Sequence, residues 1–560
     1  MPESQALQIF AARVRKACLK AFLNCGILAE GVLHIFPRTW AEGTAAKAYS
    51  TFTVDQGDYT PDIEPTPAVV NEYDAGKMKQ GAPGRYLLET ERKSGPIHVA
   101  VRGKCLAISA GHARSPFFYP FVAHHGAQHI LVCHFGLEGE ILTVPRYIYD
   151  QVIARSVPGN NPNAAKAERL RSFLIPRKYV DPGAREDNSL YKINILAAVV
   201  MEEDAFIVCD FARITQIHVI SNSRFWTEED MSPGSETWKN RLWTWYAGGP
   251  DWILEKDDAL AVLDGWRQKV LRKGTETPII DVLLQADGPG GGIGQHLAND
   301  LLFGAAIHPD TPADVLCEDD ELYDSFREYV PNFMSKFASK TYFSRCGGTP
   351  NTSNPFSFNL TSDTNFLRGY VQVYRKEEVR VPAALYDLYQ SRGLLDPNHT
   401  IGTPYTSPWV ATDKQYKLLA VRYFEGGANH RYHVVVAKPP STWKLAYTTP
   451  YTFKDVTKAG YATTLGPASF REPMRNKLDP EAIAKLCSGK GGRPKKVRTG
   501  ERGRPRKPLT LATVKRIANI PRSAKRVKVD KENMDPVDQE DEEEEELAPT
   551  RHYNTRSRMP

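Results

Sequence analysis

The chain has 560 residues, a formal net charge of +6, 41% hydrophobic residues and 25% charged residues, values typical of a soluble globular protein with a sizeable core. It contains no run of eighteen apolar residues, and its start lacks the basic and apolar regions of a secretory signal, so neither a membrane-spanning helix nor secretion is predicted. The eight cysteines are scattered without a Cys-x-x-Cys pair, which argues against a disulfide framework and favours a reducing compartment.

Residues 1–475 are predicted to form an α+β globular region that begins with a helix. Within residues 3–33, apolar side chains such as Leu7, Phe10 and Val14 recur at three- and four-residue spacing, the pattern of an amphipathic helix. The Gly-, Pro- and Asp-rich residues 41–85 predict a long loop.

The middle of the chain predicts strands first and helices later. Short β-branched or aromatic runs between residues 86 and 222 predict strands, with one helix expected over 161–175. Residues 223–275 are helical in pattern, and a break between two subdomains is expected near 223–300. The run "PIIDVLLQA" predicts a strand, residues 310–345 an acidic helix, and residues 365–440 further strands that include "YVQVYRK".

The composition changes after about residue 475. Aromatic residues nearly vanish and apolar residues become too sparse to bury, so residues 476–560 are predicted to be a disordered tail. Residues 490–530 carry a net charge of +13 and residues 531–560 a net charge of −6, which leaves −1 for the rest of the chain. This asymmetry indicates a nucleic-acid contact in the tail.

The stretch "RGRPRKP", residues 502–508, resembles the AT-hook, the minor-groove motif of high-mobility-group A proteins. The minor groove is about 6 Å wide, too narrow for a helix, and its concentrated negative potential in A-tracts attracts inserted arginine. A glycine lets the backbone approach the groove floor, and a proline keeps the segment extended. The resemblance assigns DNA contacts to Arg502, Gly503, Arg504, Pro505, Arg506 and Lys507.

A second, poorer hook lies upstream in "KGGRPKK", where Gly491 stands in place of the first core arginine. Its matching residues are Gly492, Arg493, Pro494, Lys495 and Lys496. Eleven residues separate the two central arginines, Arg493 and Arg504, or roughly 36–40 Å of extended chain. Because one DNA turn is about 34 Å, both hooks can reach neighbouring turns of one A·T-rich site.

The hooks, residues 490–508, are followed by three other short signals. Residues 521–530, "PRSAKRVKVD", resemble a Myc-type nuclear-import signal, which assigns importin contacts to Lys525, Arg526 and Lys528. The tripeptide "KEN" at 531–533 resembles a KEN-box degron. The acidic run at 541–546 fits a solubilising tail, competition with DNA for the hooks, or contact with histones.

Two histidine-containing segments in the globular region are candidate metal sites. His125, His129 and Cys133 are spaced by four residues, but on a strand such residues lie about 13 Å apart, which favours ordinary polar and core histidines. His308 and Asp310 have the His-x-Asp spacing of non-haem iron dioxygenases, with His399, His430 and His433 as possible third ligands. Such a pair is too short and frequent to predict a metal.

Two other segments invite a ligand interpretation. Five glycines within residues 288–294 precede a helix-like run, where a phosphate could bind at the helix start, although a flexible connection is favoured. Six of the nine tryptophans lie between Trp226 and Trp266, and they fit either an aromatic cage or partner groove, or the favoured tryptophan-rich core.

The sequence therefore predicts a nuclear protein, without a cofactor, that binds the minor groove of A·T-rich double-stranded DNA and acts in chromatin or transcription regulation. Its expected partners are DNA, importin and histones or other chromatin proteins. Two alternatives remain open: a chromatin-targeted enzyme with its site in the globular region, and a scaffold whose basic tail binds RNA or acidic proteins.

Overall fold

The structure is a computed structural model, and every residue that it describes lies between positions 3 and 455. The described residues are 3–25, 29–36, 52–60, 84, 86–89, 95–111, 127–135, 139–157, 171–181, 189–210, 215–245, 248–285, 288–348, 354–374, 376, 378–394, 416–424, 434–435, 443 and 453–455. All of them belong to one compact unit within Met1–Gly491.

The described residues form seventeen strands. They are β1 (Glu30–Ile35), β2 (Phe52–Asp55), β3 (Gly95–Pro96), β4 (Val99–Arg102), β5 (Cys105–Ala110), β6 (Ala127–His134), β7 (Gly139–Pro145), β8 (Ser156–Val157), β9 (Ser172–Pro176), β10 (Leu190–Ile193), β11 (Ile195–Val200), β12 (Asp204–Asp210), β13 (Gln216–Trp226), β14 (Glu378–Pro382), β15 (Tyr416–Phe424), β16 (Val434–Val435) and β17 (Phe453–Asp455).

Two five-stranded sheets dominate the first half of the chain. Their strand orders are β3-β1-β11-β12-β7 and β2-β13-β6-β5-β4. All neighbouring strands in them are antiparallel except β2 and β13, which are parallel. Smaller sheets have the order β10-β9-β8, and β14-β15-β16 with β17 also on β15.

Eleven α-helices lie in the described residues. They are α1 (Ser4–Cys25), α2 (Tyr86–Glu89), α3 (Arg146–Ile153), α4 (Lys256–Lys273), α5 (Ile279–Leu284), α6 (Gln295–Gly304), α7 (Ala313–Glu318), α8 (Asp320–Ser335), α9 (Lys340–Cys346), α10 (Leu360–Gly369) and α11 (Ala383–Ser391). Short 3₁₀ helices cover Arg177–Tyr179 and Lys336–Ala338, and a π-helical turn covers Trp238–Leu242. No helix among these residues combines the length and apolarity needed to cross a membrane.

One continuous hydrophobic core joins α1, both five-stranded sheets and the helices α4–α10. Leu7, Phe10 and Val14 of α1 are at most 1% exposed, so the predicted apolar face of this helix is the buried face. In β5, Leu106 and Ile108 enter this core, while alternate residues face a second, tryptophan-containing cluster. Successive side chains of β5 thus point to opposite faces of the sheet, and both faces are buried.

The α+β architecture with an N-terminal helix is confirmed, and so are the strand predictions that correspond to β4–β7, β11–β13 and β15. The initial helix is shorter than predicted, because it ends at Cys25 and β1 begins at Glu30. In the predicted loop 41–85, residues 52–55 form β2. The tail that the sequence predicts to be disordered, residues 476–560, lies outside the described residues.

Three element predictions are wrong. Of the helix predicted over 161–175, residues 172–175 instead belong to β9, which pairs with β10, and residues 161–170 lie outside the described residues. The apolar run at 279–284 is helix α5, since a short run buried on all sides has no diagnostic period. Residues 370–374 are not a strand, because a buried carboxylate binds the backbone N–H groups of residues 372–374, as described below.

Candidate functional site

The residues that the sequence assigns to DNA and to importin all lie beyond residue 455, outside the described part of the chain. This holds for both hooks, the import signal, the KEN tripeptide and the acidic run. Their roles therefore stay predictions. The described residues instead contain a group of buried polar side chains that the sequence did not single out.

The glycine-rich turn is buried and closely packed rather than a flexible connection. Gly290, Gly291, Gly292 and Gly294 are all buried. Gly292 has φ of +79°, and a Cβ at this position would lie 2.7 Å from the Cα of Gly103. A side chain has neither the conformation nor the space here, so the glycines allow backbone segments to meet.

The start of α6, where the sequence suggested a phosphate, is capped by a carboxylate of the chain itself. Glu3 is 2% exposed. Its Oε1 accepts a hydrogen bond from the backbone N–H of His296 and its Oε2 accepts one from Leu297, each at 3.0 Å. These N–H groups are among those that a helix leaves without an internal partner. The carboxylate takes the position of an anion at a helix N-terminus.

In the same helix, the side chain of His296 forms a fully buried pair with that of Asp300, one turn further along. His296 Nε2 lies 2.9 Å from Asp300 Oδ2, and the side chains are 1% and 0% exposed. Burial raises the pKa of Asp300, but His296 and backbone N–H donors lower it by more, so its pKa lies below the ordinary value. The pair therefore favours a charged carboxylate in the core.

Asp300 also fixes the turn at residues 372–374. Its Oδ2 accepts a hydrogen bond from the backbone N–H of Gln372 at 2.8 Å. Its Oδ1 accepts hydrogen bonds from Val373 at 2.8 Å and from Tyr374 at 3.0 Å. Three consecutive N–H groups that converge on one carboxylate cannot pair along a strand.

We use the name polar cluster for the buried polar residues at the starts of α1 and α6, which are Glu3, Ser4, Gln5, Gln8, His296, Asn299 and Asp300. None of them is more than 5% exposed. Gln5 Nε2 lies 3.4 Å from His296 Nδ1. Ser4 Oγ, Gln8 Nε2 and Asn299 Oδ1 are buried and have no hydrogen-bond partner within the described residues. Buried polar atoms of this kind are where a ligand or water binds.

The sequence carried a signal for this cluster that was missed. Glu3, Gln5 and Gln8 stand at the start of the amphipathic helix, and His296 and Asp300 are four residues apart after the glycines. Read together, polar residues at helical spacing on the buried side of two helices mark a polar core. The pairing itself spans 293 positions of sequence and is visible only in the fold.

In the described part of the histidine segment, residues 127–134, no metal site is assembled, and the candidate His125 lies outside the described residues. His129 is 1% exposed and its Nδ1 lies 2.8 Å from Ser221 Oγ. Cys133 faces the main core, and burial raises the pKa of its thiol. Burial, together with Lys104, lowers the pKa of His134 to about 4. The favoured interpretation, polar and core histidines, applies to these residues.

His308 and Asp310 form a closed structural turn. Both are 0% exposed, and the backbone N–H of Asp310 donates to His308 Nδ1 at 3.1 Å. Across the described ranges, no three His, Cys, Asp or Glu side chains come together in a way that could hold a metal ion. The suggested third ligands, His399, His430 and His433, lie outside these ranges.

The predicted tryptophan-rich core is confirmed for four of the six tryptophans. Trp226, Trp238, Trp243 and Trp252 are at most 2% exposed, so their rings are closed to a modified lysine. Trp238 Nε1 donates to Glu255 at 2.8 Å, as a buried indole N–H requires.

Comparison with known proteins adds little information about this chain. No known protein family model matches the chain, and no curated protein matches it. Among solved structures, it is similar to wild-type Lactococcus lactis Fpg (MutM) in complex with DNA that contains an oxidised pyrimidine, and to the same Fpg in complex with abasic-site DNA. In each case the identity is 14%, the TM-score is 0.34, and 68% of this chain and 95% of that chain are covered. At these TM-scores the likeness carries no argument about the fold or function of this chain.

Proposed function

We propose that this protein is a nuclear DNA-associated protein whose C-terminal hooks bind the minor groove of A·T-rich DNA. The observation that carries the proposal is the presence of two Gly-Arg-Pro-basic cores within residues 490–508. In each core the glycine and proline keep the backbone slender and extended around an arginine. A plain solvated charge run needs neither residue.

Two hooks on one short linker bind more tightly than either alone. Once the first hook is bound, the second is held at high effective concentration near the next turn of the same duplex. The import signal at 521–530 would bring the chain to its DNA. The tail thereby delivers the globular region to A·T-rich chromatin.

Binding of the full chain to an A·T-rich duplex, a G·C-rich duplex and an RNA of equal length tests the proposal. We expect Arg504→Ala to weaken A·T-rich binding far more than Lys515→Ala, because the first removes a groove contact and the second only a charge in the same tail. Equal affinity for the three nucleic acids, or equal losses in the two variants, would leave simple charge neutralisation as the explanation.

A second candidate function is an enzyme that acts on the DNA to which the tail brings it. The observation that favours it is the polar cluster, in which ionisable groups and incompletely bonded polar atoms are gathered in the core. Such groups are typical of functional sites, although structural networks also contain them. Incubation of the full chain with A·T-rich and G·C-rich duplexes tests for strand cleavage or base release.

The test uses two matched variants. Asp300→Asn changes the polar cluster, and Asp264→Asn changes an aspartate that forms an ion pair with Arg327 and is 44% exposed. An activity that belongs to the cluster is lost in the first variant at a temperature where unfolding measurements show this variant to be folded, and it is kept in the second. Activity that survives both substitutions, or no product from any duplex, would argue against this candidate.

A further inference from the structure

The helical part of the globular region carries a concentration of positive charge that the net charge of the region conceals. Residues 329–376 contain six lysines and arginines but a single acidic residue, Asp363. That aspartate is 1% exposed. Outside residues 490–560 the chain as a whole has a net charge of −1, so this segment differs strongly from the rest of the fold.

Three of these cations are exposed and form no ion pair within the described residues. Lys336, Lys340 and Arg368 are all exposed. None of the three forms an ion pair with a carboxylate anywhere in the described residues, whereas Arg327, at the preceding part of α8, pairs with Asp264. We call these three residues the basic patch.

Packed aromatic rings hold the segments of the basic patch together. Tyr342 of α9 lies 4.7 Å from Tyr370 and 6.3 Å from Phe366 between ring centroids, which joins α9 to α10. Phe337, next to Lys336, lies 5.3 Å from Tyr342 and 6.3 Å from Tyr370. The three cations therefore belong to segments that pack directly against one another.

The surface between these cations is also suited to phosphate. Thr341, Ser344 and Thr361 are exposed on α9 and α10, and hydroxyl groups next to lysine and arginine are common phosphate contacts. The unit borders the polar cluster, because Tyr342 Oη donates to the backbone oxygen of Gln5 at 3.0 Å.

A fourth cation extends the same region. Lys376 follows the turn that Asp300 fixes and is half-buried. Burial lowers the pKa of Lys376, although Asp300 acts in the opposite direction.

We infer that the basic patch is a second DNA-binding surface, which contacts the phosphates of a duplex independently of base sequence. This inference rests on the proposed function for the choice of DNA as the partner. The hooks would select A·T-rich sites, and the patch would hold the adjacent duplex against the globular region. An acidic protein is the alternative partner, and it gives a different result in the experiment below.

The experiment compares two triple variants of the full chain that each remove three positive charges. The patch variant is Lys336→Gln, Lys340→Gln and Arg368→Gln. The control variant is Lys256→Gln, Lys269→Gln and Arg272→Gln on α4, where all three side chains are also exposed. Both are made with intact hooks and with hooks disabled by Arg493→Ala and Arg504→Ala, and thermal unfolding verifies that every variant is folded.

Binding to a duplex of about 20 base pairs is measured over a range of salt concentrations. With disabled hooks, we expect the patch variant to lose about eightfold in affinity at 0.1 M salt for each lost phosphate contact, and the salt slope to fall by about 0.9 per contact. We expect less than a twofold change in the control variant. Equal losses in both variants, or no loss in the patch variant, would overturn the inference.

The design separates the two proposals. If Arg493→Ala and Arg504→Ala leave A·T-rich binding unchanged while the patch variant still loses affinity, the hook proposal fails and the inference stands. If disabling the hooks weakens A·T-rich binding and the patch variant has no additional effect, the inference alone fails. A patch variant that loses polyglutamate binding but keeps duplex binding would assign the surface to acidic proteins and overturn the inference.

Discussion

Asp300→Asn is the substitution that tests the buried polar arrangement most directly. The carboxylate of Asp300 accepts hydrogen bonds from the backbone N–H groups of Gln372, Val373 and Tyr374 and faces His296 at 2.9 Å. An asparagine keeps one acceptor oxygen, but it turns an NH₂ group towards donors and removes the charge. Four contacts therefore become, at best, two.

The expected cost follows from the burial of this site. Hydrogen bonds to charged groups contribute about 1.5–3 kcal/mol each, and breaking a buried charged pair costs about 3–5 kcal/mol. Because Asp300 is 0% exposed, solvent cannot replace the lost contacts. We expect Asp300→Asn to destabilise the globular region by about 3–5 kcal/mol.

Urea unfolding and amide hydrogen exchange measure the effect. The midpoint of unfolding should fall, and the amides of Gln372, Val373 and Tyr374 should exchange faster than other amides of the region. Asp264→Asn, at a pair that is about 40% exposed on both sides, is the control and should cost less than about 1 kcal/mol. A loss below about 1 kcal/mol in Asp300→Asn, with unchanged exchange at 372–374, would refute the reasoning.

The same aspartate makes an acid-sensitive contribution. Its pKa in the folded chain lies below the ordinary value, so the unfolded chain binds more protons in acid than the folded chain does. This stability is fully present above the unfolded pKa of about 3.9 and is lost as the pH falls through the folded pKa. Asp300→Asn should therefore lose less additional stability below about pH 4 than the wild type does.

Three further substitutions, one of them a control, test the burial of Glu140 and the packing of the glycine turn. Burial raises the pKa of Glu140 to about 7 from 4.5, against the opposing effect of Arg13. The folded chain therefore holds this proton more tightly than the unfolded chain, and its stability falls as the pH rises from about 4.5 to 7. Between pH 4 and pH 8, chemical unfolding should show Glu140→Gln gaining about 3 kcal/mol of stability relative to the wild type. A gain that is equal at both pH values would contradict this assignment. Gly292→Ala should destabilise the region by more than about 2 kcal/mol, because φ is positive and Gly103 leaves no room for a Cβ. Gly265→Ala, at an open position inside α4, should instead add about 0.5–1 kcal/mol, and thermal melting of the two alanine variants distinguishes these effects by sign.

The sequence predicts much of this fold because its strands have a simple pattern. In β5 and β6 alternate residues enter two different apolar clusters, so each short β-branched run carries its own signal. The helix α5, in contrast, was wrongly predicted to be a strand. Ile279, Ile280, Val282 and Leu283 are all buried, and a run that is apolar on every side is equally compatible with a strand.

The polar cluster was not predictable from local patterns, because its pairings connect distant parts of the chain. "YVQVYRK" has the composition of a strand, yet Asp300, more than seventy positions earlier, binds the backbone at Gln372, Val373 and Tyr374. Tertiary contacts of this kind override β-propensity. The helix start after the glycines was expected to accept an external anion, and only the fold shows that Glu3 fills it.

The hydrogen bonds between Glu3 and the first turn of α6 can form only late in the synthesis of the chain. The two partners are separated by 293 positions, and a ribosome that adds about 5–20 residues per second needs roughly 15–60 seconds to make the second after the first. During that interval Glu3 lacks the backbone N–H partners that α6 supplies, although Phe10 of α1 can already pack on Phe135. The beginning of α1 should therefore reach its final position only after the first turn of α6 has left the ribosome.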